Sequence, residues 1–400
     1  MSARYNLMSP ELKTNPYPAY AEMRRTSPVC QVDPGGMWAV TRYEDVIHVL
    51  KNPQLFTSKG FGVATNPPWL GGNPFSESML AMDPPQHGRL RGLVTRAFGA
   101  PAMARLEPRV RAIAEQSVAE LPLGQPIDLI QPYALRIPGS VICDLLGMDP
   151  SQHPRLKRWA DLITGGVTTV KPDEEDRKQL ARDGVAELRK SFGELLDQRR
   201  REPGNDMVSD LLQARVDGEA LTQDELIAFM ALLLVGGIET AVHMLGTSLA
   251  LLLDRPELFQ RLRADRSLIP AFLEEVLRYE SPAQAAVRLT TQEVELGGVR
   301  LPKGAPVLVL MGSATRDDAY APKGDEFDMN RTVQQNQNLP FGHGPHFCLG
   351  AHLGRMEGRL ALDALLDRAG RLERGPEPIT WYRSLVQRGP GTLSIVLHPA

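Results

Sequence analysis

Cysteine is scarce in this chain. Three residues, Cys30, Cys143 and Cys348, are spread over 400 positions. An odd, widely spaced set argues against a disulfide framework and makes a reducing cytoplasm the expected location. Excess charge of either sign is also missing: 45 Lys and Arg against 48 Asp and Glu leave a net −3, so no nucleic-acid partner or anionic membrane surface is indicated. No Ser/Gly linker, low-complexity tract or internal repeat divides the chain. Length alone favours two or three domains; without a boundary, the expectation is a single domain over 1–400. The first residues, MSARYNLMSPELKTNPYPAYAEM, show no signal-type apolar core, so neither a signal peptide nor a membrane anchor is expected.

Apolar residues make up 42%, which suits a globular protein with a large core. One stretch, 226–254 (LIAFMALLLVGGIETAVHMLGTSLALLLD), is apolar enough to resemble a membrane span. Glu239 lies near its middle, beside Gly236, Gly237, Thr240 and His243, and its flanks are acidic or mixed rather than basic. A charge at a bilayer centre costs about 3 kcal/mol or more, so a buried core helix is expected.

The remaining pattern is mainly helical with a minor β portion. VCQV-DPGG-MWAV (29–40) reads as a β-hairpin and YEDVIHVLKN as a short helix. Residues 57–80, rich in Gly, Pro, Asn and Ser, read as a long irregular loop of the kind that has a function or is disordered. From 84 to 280 apolar residues recur at three and four, with one break at DLITGGVTTVKP (161–172). After 290 come short strands, an irregular stretch to 340, a helix over 349–369 and a closing strand pair over 379–398. The β-rich region is expected at about 29–41, 293–312 and 379–398.

FGHGPHFCLG (341–350) surrounds Cys348 with three glycines, two histidines and two phenylalanines. A thiolate that binds a metal needs backbone N–H groups aimed at its sulfur and gains from a nearby helix N-terminus. Gly342, Gly344 and Gly350 permit the turns that aim those groups. Leu349, Leu353, Met356 and Leu360 recur at helical spacing just beyond, and Phe341 and Phe347 can keep water off the sulfur. A buried structural cysteine is the commonest fate of a lone thiol and stays open as a reading; so many glycines around it favour a ligand. Zinc does not fit, because no second cysteine is near and His343 and His346 have the wrong spacing. A single thiolate suits iron held mainly by a macrocycle.

FGHGPHFCLG matches every fixed position of F-G-x-G-x-H-x-C-x-G, and the chain thereby resembles the cytochrome P450 superfamily. Other motifs follow in that family's order. Glu275 and Arg278 in LEEVLRYESP resemble its E-x-x-R pair, and Arg331 in EFDMNR resembles the third member of that network; the resemblance implies a structural role for all three. GGIETA resembles A/G-G-x-D/E-T. It implies that Gly236 and Gly237 open a kink beside the iron, that Thr240 bonds across it and to oxygen at the iron, and that Glu239 brings in protons. An unpaired carboxylate in an apolar helix costs several kcal/mol, so something must compensate Glu239. MDPPQHGRLRGLV resembles D-P-P-x-H-x-x-x-R; its His87 and Arg91, at i and i+4, share a helix face. With Arg288 and His346 they are the implied propionate partners. ATRDD (314–318) resembles A-x-R-D-P, with Asp318 in place of proline.

The resemblance runs from about residue 15 to the last strand. It implies the mainly α P450 fold, noncovalent haem b with Cys348 as axial ligand, and monooxygenation: one atom of O2 enters a largely apolar small molecule by hydroxylation or epoxidation, with secondary metabolism as the implied setting. The implied electron source is NAD(P)H through a separate ferredoxin and ferredoxin reductase. Ile238, Ala285, Ala286, Val287, Leu385 and Val386 are the implied substrate-pocket residues, with 57–80 and 161–172 as its lid. The alternatives are peroxide-driven oxidation and a haem-thiolate protein that only binds a ligand; the Glu239–Thr240 pair speaks against both.

Overall fold

The structure is a computed structural model that describes residues 5–216, 218–331 and 339–400. It is mainly α with a minor β portion, as the periodicities predict. The described residues group into two compact units: Met1–Phe56, Val110–Ile137 and Thr240–Ala400 form one, and Thr57–Arg109 with Pro138–Glu239 the other.

In the first unit the predicted hairpin is present. Val29–Asp33 pairs antiparallel with Met37–Val40, and Gly35 and Gly36 turn the chain with φ of 84° and 64°. The second hairpin strand pairs parallel with Pro306–Val309, which pairs antiparallel with Ala286–Thr290. Alternation along these strands separates two apolar clusters. One holds Val29, Val40, Val307, Val309 and Phe56; the other holds Tyr17, Tyr20, Val32, Ala39, Ala285 and Leu308. Burial of this kind contributes about 25 cal/mol per Å².

The C-terminal strands differ from expectation. Thr380–Trp381 pairs with Pro390–Thr392, but Ser394–Pro399 pairs with Ala369–Arg374 and also with Pro126–Asp128. The last contact joins residues more than 250 positions apart in sequence, beyond any local pattern. The irregular stretch expected up to 340 falls in part on 332–338, outside the described residues.

In the second unit, 57–80 is more ordered than its composition predicts. It carries a helix at Lys59–Thr65 and single 3-10 turns at Pro68–Leu70 and Met79–Ala81. Buried polar contacts hold it. The Asn73 amide donates to Thr65 O and Ile163 O, both at 2.9 Å, and the Thr65 and Ser76 hydroxyls meet at 2.8 Å. Phe61 and Phe75 pack edge to face with centroids 5.4 Å apart. The Ile163 contact ties this segment to the predicted break, where His153–Ile163 ends and one further turn, Gly165–Thr168, follows.

The apolar stretch is one helix, Gln223–Asp254. Its length and composition would allow a membrane span, yet 78% of its most apolar window is buried inside the protein, as expected of a core helix.

Candidate active site

The cysteine loop is built from tight turns. Gly342 and Gly344 have φ of 80° and 70°, a region that side chains avoid. A Cβ on Gly344 would also lie 2.6 Å from the Leu50 carbonyl oxygen. Glycine is therefore required there twice over, once by the turn and once by the approach of the helix Tyr43–Lys51. Gly342 N donates to Leu339 O at 2.8 Å and Cys348 N to Phe341 O at 2.9 Å. Cys348 is exposed; Phe341, His346 and Phe347 are half-buried. The helix Ala351–Arg368 begins three residues later, with Leu353, Met356 and Leu360 buried. Its Arg355 lies over the Phe341 ring at 4.3 Å and bonds to Glu274.

Glu275 and Arg278 form a fully buried pair with two hydrogen bonds of 2.7 Å. The Arg278 guanidinium also donates to Thr315 O, Gly324 O and Glu326 O. Asp328 N donates to Glu275 at 2.8 Å, and Arg331 Nε lies 3.5 Å from the same carboxylate. The three predicted residues thus form one network that pins the chain over 315–331. Asp318, the residue that departs from the family pattern, accepts from Lys323 N at 3.0 Å, where Lys323 has a left-handed φ of 56°.

Arg288 is buried on the strand Ala286–Thr290. His346 ends the 3-10 turn Gly344–His346 in the same unit. His87, buried, and Arg91, half-buried, lie one turn apart on Gln86–Thr95 in the other unit.

The helix Gln223–Asp254 runs unbroken through GGIETA, so Gly236 and Gly237 do not end it. The two glycines differ. A Cβ on Gly237 would strike the Ile142 side chain at 2.5 Å, whereas one on Gly236 would meet nothing within 4 Å. Gly236 is exposed and Thr240, four residues on, is half-buried. An otherwise buried helix therefore shows an open strip along one face. Ile238 points away from it, with no exposed surface.

Glu239 is buried, and its compensation is Lys157, whose Nζ lies 2.9 Å from Oε1. Lys157 also pairs with Asp161. Burial works against the Lys157 ammonium, and the Glu239 and Asp161 charges more than offset it, so its pKa lies above the ordinary value. Burial, aided by Glu239, raises Asp161 against the pull of Lys157. Sequence reasoning missed this partner, because Lys157 and Asp161 at i and i+4 look like any solvated helix pair. It also missed Glu357, buried on the helix after Cys348, whose carboxyl burial pushes up to about 8.

Ala285, Val287, Leu385 and Val386 share one apolar cluster, while Ala286 faces the other. Val386 O accepts from Gln284 N at 2.9 Å, which fixes the turn carrying Leu385 beside the strand.

The donor chemistry can be tested against haem. Among the described residues no group of three or more His, Cys, Asp or Glu side chains could hold a metal ion. An exposed thiol outside any such group suits an iron that brings its own equatorial ligands, and the guanidinium and imidazole groups suit carboxylates. The residues present fit haem.

Comparison with known proteins agrees. The cytochrome P450 family model matches residues 168–369. Mycinamicin IV hydroxylase/epoxidase of Micromonospora griseorubida is 38% identical, with 94% of each chain covered. Vitamin D(3) 25-hydroxylase of Pseudonocardia autotrophica is 36% identical over 99% of this chain and 97% of that one. The structure of cytochrome P450 CYP109Q5 from Chondromyces apiculatus superposes with a TM-score of 0.90 at 38% identity, covering 100% of both chains. The chain belongs to the cytochrome P450 family. It is a haem-thiolate monooxygenase that uses haem b, O2 and electrons from NAD(P)H delivered by redox partners.

Proposed function

We propose that Cys348 supplies the axial thiolate, that His87, Arg91, Arg288 and His346 hold the haem propionates, and that Glu239 and Thr240 handle protons for oxygenation of a bulky, largely apolar molecule. The observation that carries this reading is one exposed thiol held in a loop whose turns at Gly342 and Gly344 require glycine. When bound, the haem supplies the activation of O2, and the thiolate favours O–O cleavage.

The chain's own residues do the rest. Backbone turns at Gly342 and Gly344 hold Cys348. Gly236 leaves room on the helix face where a side chain would crowd the macrocycle. Asp161, with half its side chain exposed, connects through Lys157 to Glu239, whose side chain is 7% exposed. That series offers protons a route from solvent to the Thr240 hydroxyl. Glu275, Arg278 and Arg331 serve the scaffold.

The small apolar residues Ala285 and Val287, with Leu385 and Val386 in the same cluster, suit a bulky substrate; Ile238, fully buried, and Ala286, which faces the other cluster, do not join them. The relatives' names give mycinamicin IV and vitamin D(3) as molecules they oxygenate, which supports a lipophilic substrate of secondary metabolism. The segments 57–80 and 161–172, stitched together by Asn73, are the proposed lid. A ferredoxin and its reductase, on separate chains in the cytoplasm, are the proposed electron donors; the exposed Lys51 beside Gly344 and the half-exposed Arg355 suit an acidic carrier.

The test is turnover of a lipophilic panel containing vitamin D(3), with surrogate ferredoxin, reductase and NADPH, under isotopically labelled O2. The expected product carries one labelled oxygen atom and requires reductant. Products formed without reductant, or carrying oxygen from water alone, would refute the reading.

A further inference from the structure

A small cavity of about 20 Å³ lies between the first helix and the turn that carries Leu385, lined by Leu7, Leu12, Tyr20, Tyr382 and Leu385. The side chain of Lys13, the last but one residue of Pro10–Thr14, enters it and donates from Nζ to the Ser384 carbonyl. The turn reciprocates: Arg388 donates from Nη1 to Lys13 O at 2.6 Å and from Nη2 to Thr14 O at 2.9 Å. Arg388 is itself held by Glu280 at 2.9 Å. Inside the turn, the Ser384 hydroxyl accepts from Val386 N and Gln387 N at 3.2 Å. Helix and turn therefore clasp one another from both sides.

We propose that Lys13 is a positioning residue for the substrate: by holding Ser384 it sets where Leu385 and Val386 stand, and so how well a bulky apolar molecule fits. This rests on the reading of Leu385 and Val386 as pocket-lining residues. The clasp is a costly one. Burial, and then the charges of Arg388 and Arg383, push the Lys13 ammonium down to about 8. The other ionisable groups around it are Tyr382 at the start of the turn, Tyr17 and Tyr20 from Tyr17–Thr26, and Glu280 behind Arg388. A lysine whose charge is disfavoured in the fold, yet whose ammonium grips a single carbonyl, is placed for the turn's geometry rather than for stability. The charge-assisted bond is intact when Lys13 is protonated and weakens as it loses its proton.

The test uses haem-loaded protein and the Soret shift on azole binding, a readout that needs no turnover. Clotrimazole is the bulky probe and imidazole the small one, each compared between variants at the same pH. At neutral pH, Lys13→Met is expected to bind clotrimazole about threefold to tenfold more weakly than the wild type, with Lys13→Arg close to wild type and imidazole unaffected. At about pH 9 the wild type is expected to approach Lys13→Met, while Lys13→Arg, which stays charged, does not. If Lys13→Met fails to fold, the comparison of wild type with Lys13→Arg carries the test. Leu385→Phe separates the two layers of the inference. Changed clotrimazole binding in Leu385→Phe, with wild-type behaviour of both Lys13 variants at both pH values, overturns the role of Lys13 alone. Unchanged binding in Leu385→Phe overturns the pocket assignment beneath it.

Discussion

Replacing Arg278 with methionine tests the scaffold under the cysteine loop. Arg278 and Glu275 each show 2% side-chain exposure. Removing the guanidinium leaves a buried carboxylate with only Asp328 N and the more distant Arg331 beside it, and strips three carbonyl oxygens, of Thr315, Gly324 and Glu326, of their donor. Breaking a buried pair from one side costs about 3–5 kcal/mol. Each lost hydrogen bond adds about 1 kcal/mol, less wherever the chain relaxes. The sum is therefore at least about 5 kcal/mol, a large part of the stability of an ordinary domain. Arg278→Lys keeps the charge but loses the planar fork, and should cost about half as much. The assay is urea unfolding of the holoprotein, followed by far-ultraviolet circular dichroism and Soret absorbance on the same samples. Arg278→Met is expected to lose haem and secondary structure together at a much lower urea concentration, with Arg278→Lys between it and wild type. If both variants stayed within about 1 kcal/mol of wild type, the pair would be worth no more than an exposed ion pair, and its structural role would be wrong.

Other outcomes follow from single groups. Thr240→Ala should keep its haem while product falls about tenfold or more and the electrons appear as hydrogen peroxide; coupled, full-yield turnover would remove Thr240 from proton handling. Lys157→Met takes from Glu239 the cation 2.9 Å from its carboxylate, so coupled product formation should fall several-fold while hydrogen peroxide rises; unchanged coupling would show that Lys157 does not act through Glu239. Glu357 has a folded pKa raised to about 8 from 4.5, so the stability it contributes is full below its unfolded value and is lost as pH rises through about 8. Melting temperatures of Glu357→Gln and wild type should therefore diverge between about pH 5 and pH 8, the variant gaining, and stay parallel above; parallel curves throughout would mean that Glu357 ionises freely in the fold.

The sequence shows the cysteine loop clearly because its turns admit little besides glycine, and Gly344 is constrained by both φ and space. It shows Glu275 and Arg278 as a pair but not their depth, because i, i+3 spacing is the same on a surface helix and in a core. The helix at Lys59–Thr65 was hidden by its glycines, and the order of 57–80 by its dependence on Asn73, whose partner Ile163 O is 90 residues away. Lys157 was hidden for a related reason: its i+4 partner Asp161 is visible in the sequence, while Glu239, which gives it meaning, is far along the chain. What local pattern and steric demand determine can be read in advance. What a distant contact determines needs the fold.

The most direct measurement is the absorbance spectrum of the purified holoprotein reduced with dithionite under carbon monoxide. A Cys348 thiolate on the iron should give the strongly red-shifted Soret band of thiolate ligation, and Cys348→His should lose that band while keeping its haem. A wild-type band at the position usual for histidine-ligated haem would contradict the assignment of Cys348.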